Sequence, residues 1–384
     1  MTAQTVAPLS LPLGDPTMPT ADELLSTDAV QSLAQILDAA SSPRTRWTAV
    51  QSAVGEFSSQ TLSQRVGLVC AAILHDCANY SELASIVRRA LSDVDLTGWM
   101  IWPLTEAIAV AATTSGDTGD FDGGLDLLAA LTPRLTSEFA LRTFLNADVE
   151  RALSVAETWS AHDDSAVRRL ASEGTRPKLP WAKQVRPLIL APGRTRRILD
   201  ALYRDESETV RRSVANHLND VSRLQPETAV ATATAWAAAP DDQTPSMIRH
   251  AMRTLVKAGD PAALRLLGFT ADQLDVRGPV LEEAAIDFGG AITFTADITN
   301  LGDRPAVLAI DYVIHHRKAN GSTSPKMFKL TTKTLAPQEH VALSRRHAIK
   351  PITTRRYYPG VHGIELQING QRFGYTEFVL SMPS

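Results

Sequence analysis

From about Ala21 to about Leu267, apolar residues recur at three- and four-residue spacing among Ala, Leu, Arg and Glu, and this period predicts helices. From about Leu281 the period changes to two. Ile292, Phe294, Ala296 and Ile298 alternate with polar neighbours, as do Leu308, Ile310, Tyr312 and Ile314, then Phe328 and Leu330, then Ile364, Leu366 and Ile368. Asn320-Gly321 and Asn369-Gly370 are hairpin-type turns between such runs. Six or seven short strands in about 100 residues predict a β-sandwich of immunoglobulin-like architecture over residues 279–384. The Cys…Trp…Cys signature of antibody domains is absent from the sequence. Gly268 to Gly278 is the expected junction, and residues 1–20 are expected to be a disordered tail.

The helical part, residues 21–270, repeats. His162-Asp-Asp-Ser-Ala-Val-Arg-Arg169 is echoed by Arg204-Asp-Glu-Ser-Glu-Thr-Val-Arg-Arg212, and more weakly by Asp241-Asp-Gln-Thr-Pro-Ser-Met-Ile-Arg249. A period near 40 residues with a helix pair per unit is the HEAT class of α-solenoid. The fold expected is therefore α then β, a helical-repeat domain followed by a sandwich. Each acidic turn precedes the helix that carries the Val-Arg-Arg element, where carboxylates complement the helix dipole. Arginines at matching positions of successive repeats would line a concave groove together, a surface suited to a rod-like polyanion.

Composition narrows the classes. The chain has 384 residues, 44% hydrophobic and 21% charged, enough for two or three domains with their own cores and too apolar for a disordered chain. Its longest helical run without a charge, Thr228 to Pro240, is short of the roughly 20 apolar residues that span a bilayer. The first 20 residues lack the basic segment and apolar core of a secretory signal, so a cytoplasmic location is expected. Cys70 and Cys77 stand seven apart in a helical pattern, about 10 Å, too far for a disulfide. They read as core residues, and no metal or cofactor site is expected. The net charge of −4 hides a segregation: residues 1–100 hold 5 Lys/Arg and 10 Asp/Glu, whereas residues 165–212 hold 12 and 5. A basic block in an acidic chain is the footprint of a local polyanion site.

Three segments could carry chemistry. Glu138 and Arg142 are four apart, the spacing of a surface ion pair. Glu173-Gly174 ends a helix, and Thr175 to Trp181 is a Pro-punctuated loop carrying Arg176, Lys178 and Trp181; a Trp closing a basic loop is unusual for a connector. Asn216, Asn219 and Asp220 cluster around one turn at a helix end. By spacing alone, each segment reads more readily as capping or packing than as catalysis. Trp102 either faces the groove or packs in the core, the latter being the commoner role. The sandwich carries Arg317, Lys318, Lys326, Lys329, Arg345, Arg346, Arg355 and Arg356, several in expected hairpin loops.

Together, TSEFALRTFL, VRRLASEGTRPKLPW, ETVRRSVANHLND and IRHAMRTLVKAGDPAALRLLGF resemble successive repeats of the AlkC-type DNA alkylation repair glycosylases. DYVIHHRKANGSTSPKMFKL and RRYYPGVHGIELQING resemble the immunoglobulin-like domain of one branch of that family. The resemblance runs from about residue 100 to the C-terminus and departs at Thr143, where the family usually has Pro. It implies a monofunctional glycosylase of base excision repair that hydrolyses the N-glycosidic bond of 3-methyladenine or 3-methylcytosine in double-stranded DNA without fully extruding the base. An alkylated base is already cationic and needs no general acid. What remains is to stabilise an oxocarbenium-like sugar and to position water, which carboxylates do.

Carried over residue by residue, Glu138 and Glu173 are the carboxylates at the lesion, with Asp220 a third acid. Trp181 packs against the lesion nucleotide, and Asn216 or Asn219 supports Asp220. Arg142, Arg169, Arg176, Lys178, Arg211 and Arg212 are the phosphate candidates, some of which must instead pair with the acids. In the sandwich, Arg317, Lys318, Lys326, Lys329, Arg355 and Arg356 are expected to clamp the DNA strand. No lysine stands out as a Schiff-base nucleophile, no obligate protein partner is expected, and the chain is expected to be a monomer. The alternative reading is a non-catalytic HEAT-repeat scaffold for DNA or protein; a secreted carbohydrate hydrolase is a distant third.

Overall fold

The structure, a computed structural model, describes residues 20–42, 45–269, 273–352 and 355–382. The tail expected over residues 1–20 lies outside these, apart from Thr20, which caps the first helix (Ala21–Leu24). The chain divides into two compact units, Met1–Ala251 and Met252–Ser384.

The first unit is a succession of short helices whose apolar stripes face one another. The helix Leu62–Asp76 packs on Ile101–Thr114, which packs on Thr118–Leu131 and on Glu138–Ala147. Further along, Ser165–Glu173 packs on Glu208–Ser222, and that helix on Thr244–Ala251. The repeated motif explains these last three. Val167, Leu170 and Ala171 in one helix, Val210, Val214 and Leu218 in the next, and Met247, Ile248 and Ala251 in the third are all buried. Each start is fixed by its acidic turn. Asp164 accepts from the Ala166 N–H, Asp205 from the Ser207 N–H, and Asp241 from those of Gln243 and Thr244. Among the described residues no helix is long and apolar enough to cross a membrane. Cys70 and Cys77 are free, and burial pushes both thiols up to about 11.

The second unit opens with two short helices, Arg253–Ala258 and Pro261–Leu266, which group with the strands. The division thus falls before the expected junction at Gly268 to Gly278. The reason is packing: Gly259, at φ 75°, lies so close to Gln367 and Gly370 that a Cβ would have no room. Strands β1 (Leu274–Leu281), β3 (Ala291–Asn300) and β6 (His340–Ala348) form a three-stranded sheet in the order β1-β3-β6. Strands β2 (Ala285–Asp287), β4 (Ala306–Arg317), β5 (Thr323–Leu335), β7 (Gly360–Ile368) and β8 (Gln371–Ser381) form a second sheet, ordered β2-β8-β7-β4-β5. The pairs are antiparallel except β2–β8. The alternating residues Ile292, Phe294, Ala296 and Ile298 of β3, and Leu308, Ile310, Tyr312 and Ile314 of β4, are buried as expected. Asn320-Gly321 and Asn369-Gly370 make the β4–β5 and β7–β8 turns, Asn369 and Gly370 both with positive φ. The first strand begins at Leu274, earlier than expected, because Leu274 to Arg277 already pair with Asp297 to Asn300.

Candidate active site

Three helices of the first unit bring the acids together. Glu138 is the first residue of Glu138–Ala147, and its carboxylate accepts from Thr136 Oγ1 at 2.9 Å and from Arg169 Nη1 at 2.9 Å. The expected pairing with Arg142 therefore does not form. Arg142 points inward, 1% exposed, and donates to the carbonyls of Gly174 (3.0 Å), Arg176 (2.7 Å) and Lys183 (2.9 Å). Burial, with the neighbouring charge of Arg176, pushes its guanidinium down to about 10, so it stays a cation at neutral pH.

Glu173 closes the helix Ser165–Glu173, and Asp220 lies near the end of Glu208–Ser222. One guanidinium joins them: Arg176 Nη1 meets Glu173 Oε1 at 2.5 Å, and its Nε meets Asp220 Oδ2 at 2.8 Å. All three side chains are at least nine-tenths buried. The two acids respond oppositely. Burial would raise Glu173, but the charges of Arg176 and Arg169 and hydrogen bonds from Ser213 and Arg176 outweigh it and hold the carboxyl below its usual range. For Asp220 burial wins over Arg176 and Arg223, helped by the negative Glu173, and the carboxyl is raised. Pairs of acids driven apart in this way are what sites with divided acid–base roles contain.

The phosphate candidates divide. Arg142 and Arg176 are buried among carbonyls and carboxylates, which removes them from phosphate contact. Arg211 is half-buried and already engaged. Its Nη1 donates to the carbonyls of Asp205 and Glu206, as Arg168 does to those of His162 and Asp163, so the first arginine of each Val-Arg-Arg element ties down its own acidic turn. Arg169 is a third exposed and paired with Glu138; Arg212 is exposed and paired with Glu208; Lys178 is exposed.

Trp181 is 71% exposed, and its φ of 63° is rare for a bulky residue. Trp102, by contrast, is buried and stacks on Phe139 with ring centroids 4.2 Å apart, the core role. The Asn216 carbonyl oxygen engages His250 Nε2 at 2.9 Å, and Asn219 is fully buried. The sequence reading missed His217. It is fully buried and pushed down to about 3 by burial, hence neutral; Nδ1 donates to the Ser172 carbonyl and Nε2 meets Thr195 Oγ1 at 2.9 Å. Its signal was present, since Val210, Val214, His217 and Val221 share one helical stripe.

In the sandwich, Lys326 and Lys329 stand on β5, and Arg345 and Arg346 on β6, not in loops, because these strands run longer than their apolar alternation suggests. Arg317 ends β4, and Lys318 lies in the turn beyond. Arg355 and Arg356 do precede β7 in a loop, beside a recess of ≈420 Å³ with Phe288, Ile352, Tyr357 and Tyr358. Arg355 Nη1 donates to the buried His316 Nε2 at 2.6 Å. No group of three His, Cys, Asp or Glu among the described residues could hold a metal.

A family model described as "Uncharacterised protein YhaZ, C-terminal Ig-like domain" matches residues 275–382. The uncharacterized protein YhaZ of Bacillus subtilis (strain 168) is 37% identical over 252 residues, 65% of this chain and 70% of that protein. The solved structure of the Pseudomonas fluorescens alkylpurine DNA glycosylase AlkC, bound to DNA containing an abasic site analog, matches with a TM-score of 0.77 and 29% identity. It covers 95% of this chain and 99% of its own.

Proposed function

The chain belongs to the AlkC-type DNA alkylation repair glycosylases, in the branch with a C-terminal immunoglobulin-like domain, and from this we propose the reaction that its acids perform. It hydrolyses the N-glycosidic bond of cationic N-alkylated bases, 3-methyladenine and 3-methylcytosine, in double-stranded DNA, without fully extruding the base. The observation that carries this reading is the Glu173–Arg176–Asp220 arrangement, two buried acids of opposite proton affinity on one fixed cation.

The C1′–N bond breaks with its electron pair going to the base, which leaves neutral. Glu173, kept ionised by Arg176 and Arg169, and Glu138, seated beside Arg169, stabilise the positive charge left on the sugar. Water then adds to C1′ and loses a proton to Asp220, whose raised proton affinity suits it as acceptor. Trp181 packs against the lesion nucleotide, where an aromatic face attracts a cation. Lys178 and Arg212, with Arg169, meet phosphates, and the sandwich loop of Arg355 and Arg356 grips the strand. The enzyme is monofunctional and leaves the abasic strand uncut.

Release of free 3-methyladenine and 3-methylcytosine from methylated duplex DNA is the test. Release is expected, and Glu138→Gln and Asp220→Asn should each slow it by about a hundredfold or more with little change in DNA affinity. Binding without base release would instead establish a non-catalytic scaffold.

A further inference from the structure

The Arg142 guanidinium, a phosphate candidate by the family resemblance, lies beneath the loop that carries Trp181. We propose that Arg142 is a positioning residue that, together with Asn146, presets Trp181 for the lesion nucleotide; this rests on the lesion role given to Trp181 above.

The loop leaves the helix Ser165–Glu173 at Gly174, where a Cβ would meet Leu141 Cδ2 at 2.6 Å, so the chain passes tightly over the Glu138–Ala147 helix. Both of its ends are then fastened to that one helix. Arg142 holds the carbonyls of Gly174 and Arg176 at the start and of Lys183 at the finish. One turn on, Asn146 Nδ2 donates to the Gln184 carbonyl at 3.1 Å and also to Arg142's own carbonyl at 2.9 Å. Lys183 Nζ reaches Thr143 Oγ1 at 3.2 Å and the Glu106 carboxylate at 2.9 Å. Between these tethers the backbone at Trp181 takes a left-handed conformation, one that persists only where the surroundings over-determine it, and the ring projects into solvent. Burying an arginine to 1% exposure is costly, and here its return is three carbonyls of a single loop. Lys178 of the same loop is exposed as well, but Trp181 is the residue whose backbone, at φ 63°, needs such an anchor. An aromatic face held ready in its contact pose loses no freedom when the damaged nucleotide arrives.

The test is a double-mutant cycle on the full chain, read by single-turnover excision of 3-methyladenine and by DNA affinity. Trp181→Ala is expected to lower the excision rate by about a hundredfold. Arg142→Lys, which cannot span three carbonyls, is expected to lower it by about tenfold or more with affinity nearly unchanged. Asn146→Ala, a milder release of the far end in case Arg142→Lys folds poorly, is expected to lower it severalfold. Neither loop variant should lower it further in the Trp181→Ala background. Acrylamide quenching of the Trp181 emission, taken as wild type minus Trp181→Ala, should rise in both loop variants. Full multiplication of the losses, or Asn146→Ala and Arg142→Lys excising at the wild-type rate while Trp181→Ala is impaired, overturns the positioning role alone. Wild-type excision by Trp181→Ala overturns the lesion role of the ring and the positioning role with it.

Discussion

The two units handle buried charge in opposite ways. In the helical unit, the buried Arg176 is matched by Glu173 and Asp220, and Arg168 by Asp205. In the sandwich, the titratable groups that burial shifts most include three imidazoles, those of the buried His316 and His362 and the half-buried His347, and the charged neighbours that shift them are cations or other imidazoles. Burial and Arg355 push His316 down to about 3, burial with Arg345 and Arg355 pushes His347 down to about 4, and His362 is lowered by burial and Arg317. One unit collects acids around a fixed cation, which on the proposed function would meet a second positive charge on a sugar. Around its three shifted imidazoles the other collects cations beside groups that stay neutral, whereas elsewhere in it Glu365 pairs with Arg372 and His315. The function proposed above needs both, because the proposed substrate is a cationic lesion on an anionic strand.

Removing one cation from each unit tests this contrast most strongly. Arg176→Met strands two buried carboxylates and should cost about 3–5 kcal/mol in denaturant unfolding, as breaking a buried ion pair does. Arg355→Met removes a hydrogen bond to His316 but also a like-signed neighbour of two histidines, and should cost no more than about 1 kcal/mol. Equal costs would mean that Arg355 is balanced by an acid, as Arg372 is by Glu365.

Acid provides a smaller contrast. A histidine whose folded pKa lies below its unfolded value near 6.5 binds its proton first in the unfolded chain. Its contribution is therefore intact above pH 6.5 and is lost as pH falls from there toward 3 or 4. Three such groups, His316, His347 and His362, stand in the sandwich; in the helical unit His217 behaves likewise. Asp311, raised by burial to about 6, acts in the opposite sense between pH 6 and 4, where the folded state holds its proton more tightly, and so offsets part of the loss. His316→Gln should accordingly flatten the fall in stability below pH 6.5 by up to about 1.4 kcal/mol per pH unit. An unchanged slope in calorimetry from pH 7 to 4 would show that His316 is not held neutral.

Much of this was legible in the chain. The switch from a helical to a two-residue period separated the two regimes, the Asn-Gly pairs marked two turns, and the Val-Arg-Arg echoes located equivalent helices. Two of the acids singled out in the sequence, Glu173 and Asp220, do meet across 47 positions through Arg176. What stayed hidden were the partners. Four-residue spacing joined Glu138 to Arg142, yet rotation of the helix against its neighbours turns one residue toward Arg169 and the other under a loop 32 to 41 residues away. Such pairings depend on how helices pack, which local spacing does not encode. Arg211 misled in another way: a basic residue beside an acidic turn reads the same whether it faces a phosphate or the carbonyls of that turn. His217 sits on an apolar stripe beside Asn216, Asn219 and Asp220, and a lone imidazole there carries no local sign of its buried partners Ser172 and Thr195.

That distinction among arginines sets the smallest effect. Each phosphate contact releases counterions, so losing one should flatten the slope of log affinity against log salt by about 0.9 on duplex DNA. Lys178→Ala in the helical unit and Arg356→Ala in the sandwich, both exposed, should each do so, with a severalfold loss of affinity at moderate salt. Arg211→Ala carries away the same unit of charge from the same basic block, but its guanidinium already holds two carbonyls. It should destabilise the fold slightly and leave the slope intact. If Arg211→Ala flattens the slope as much as Lys178→Ala, the DNA responds to the overall field of the block rather than to particular side chains, and the assignment of individual phosphate contacts in both units falls.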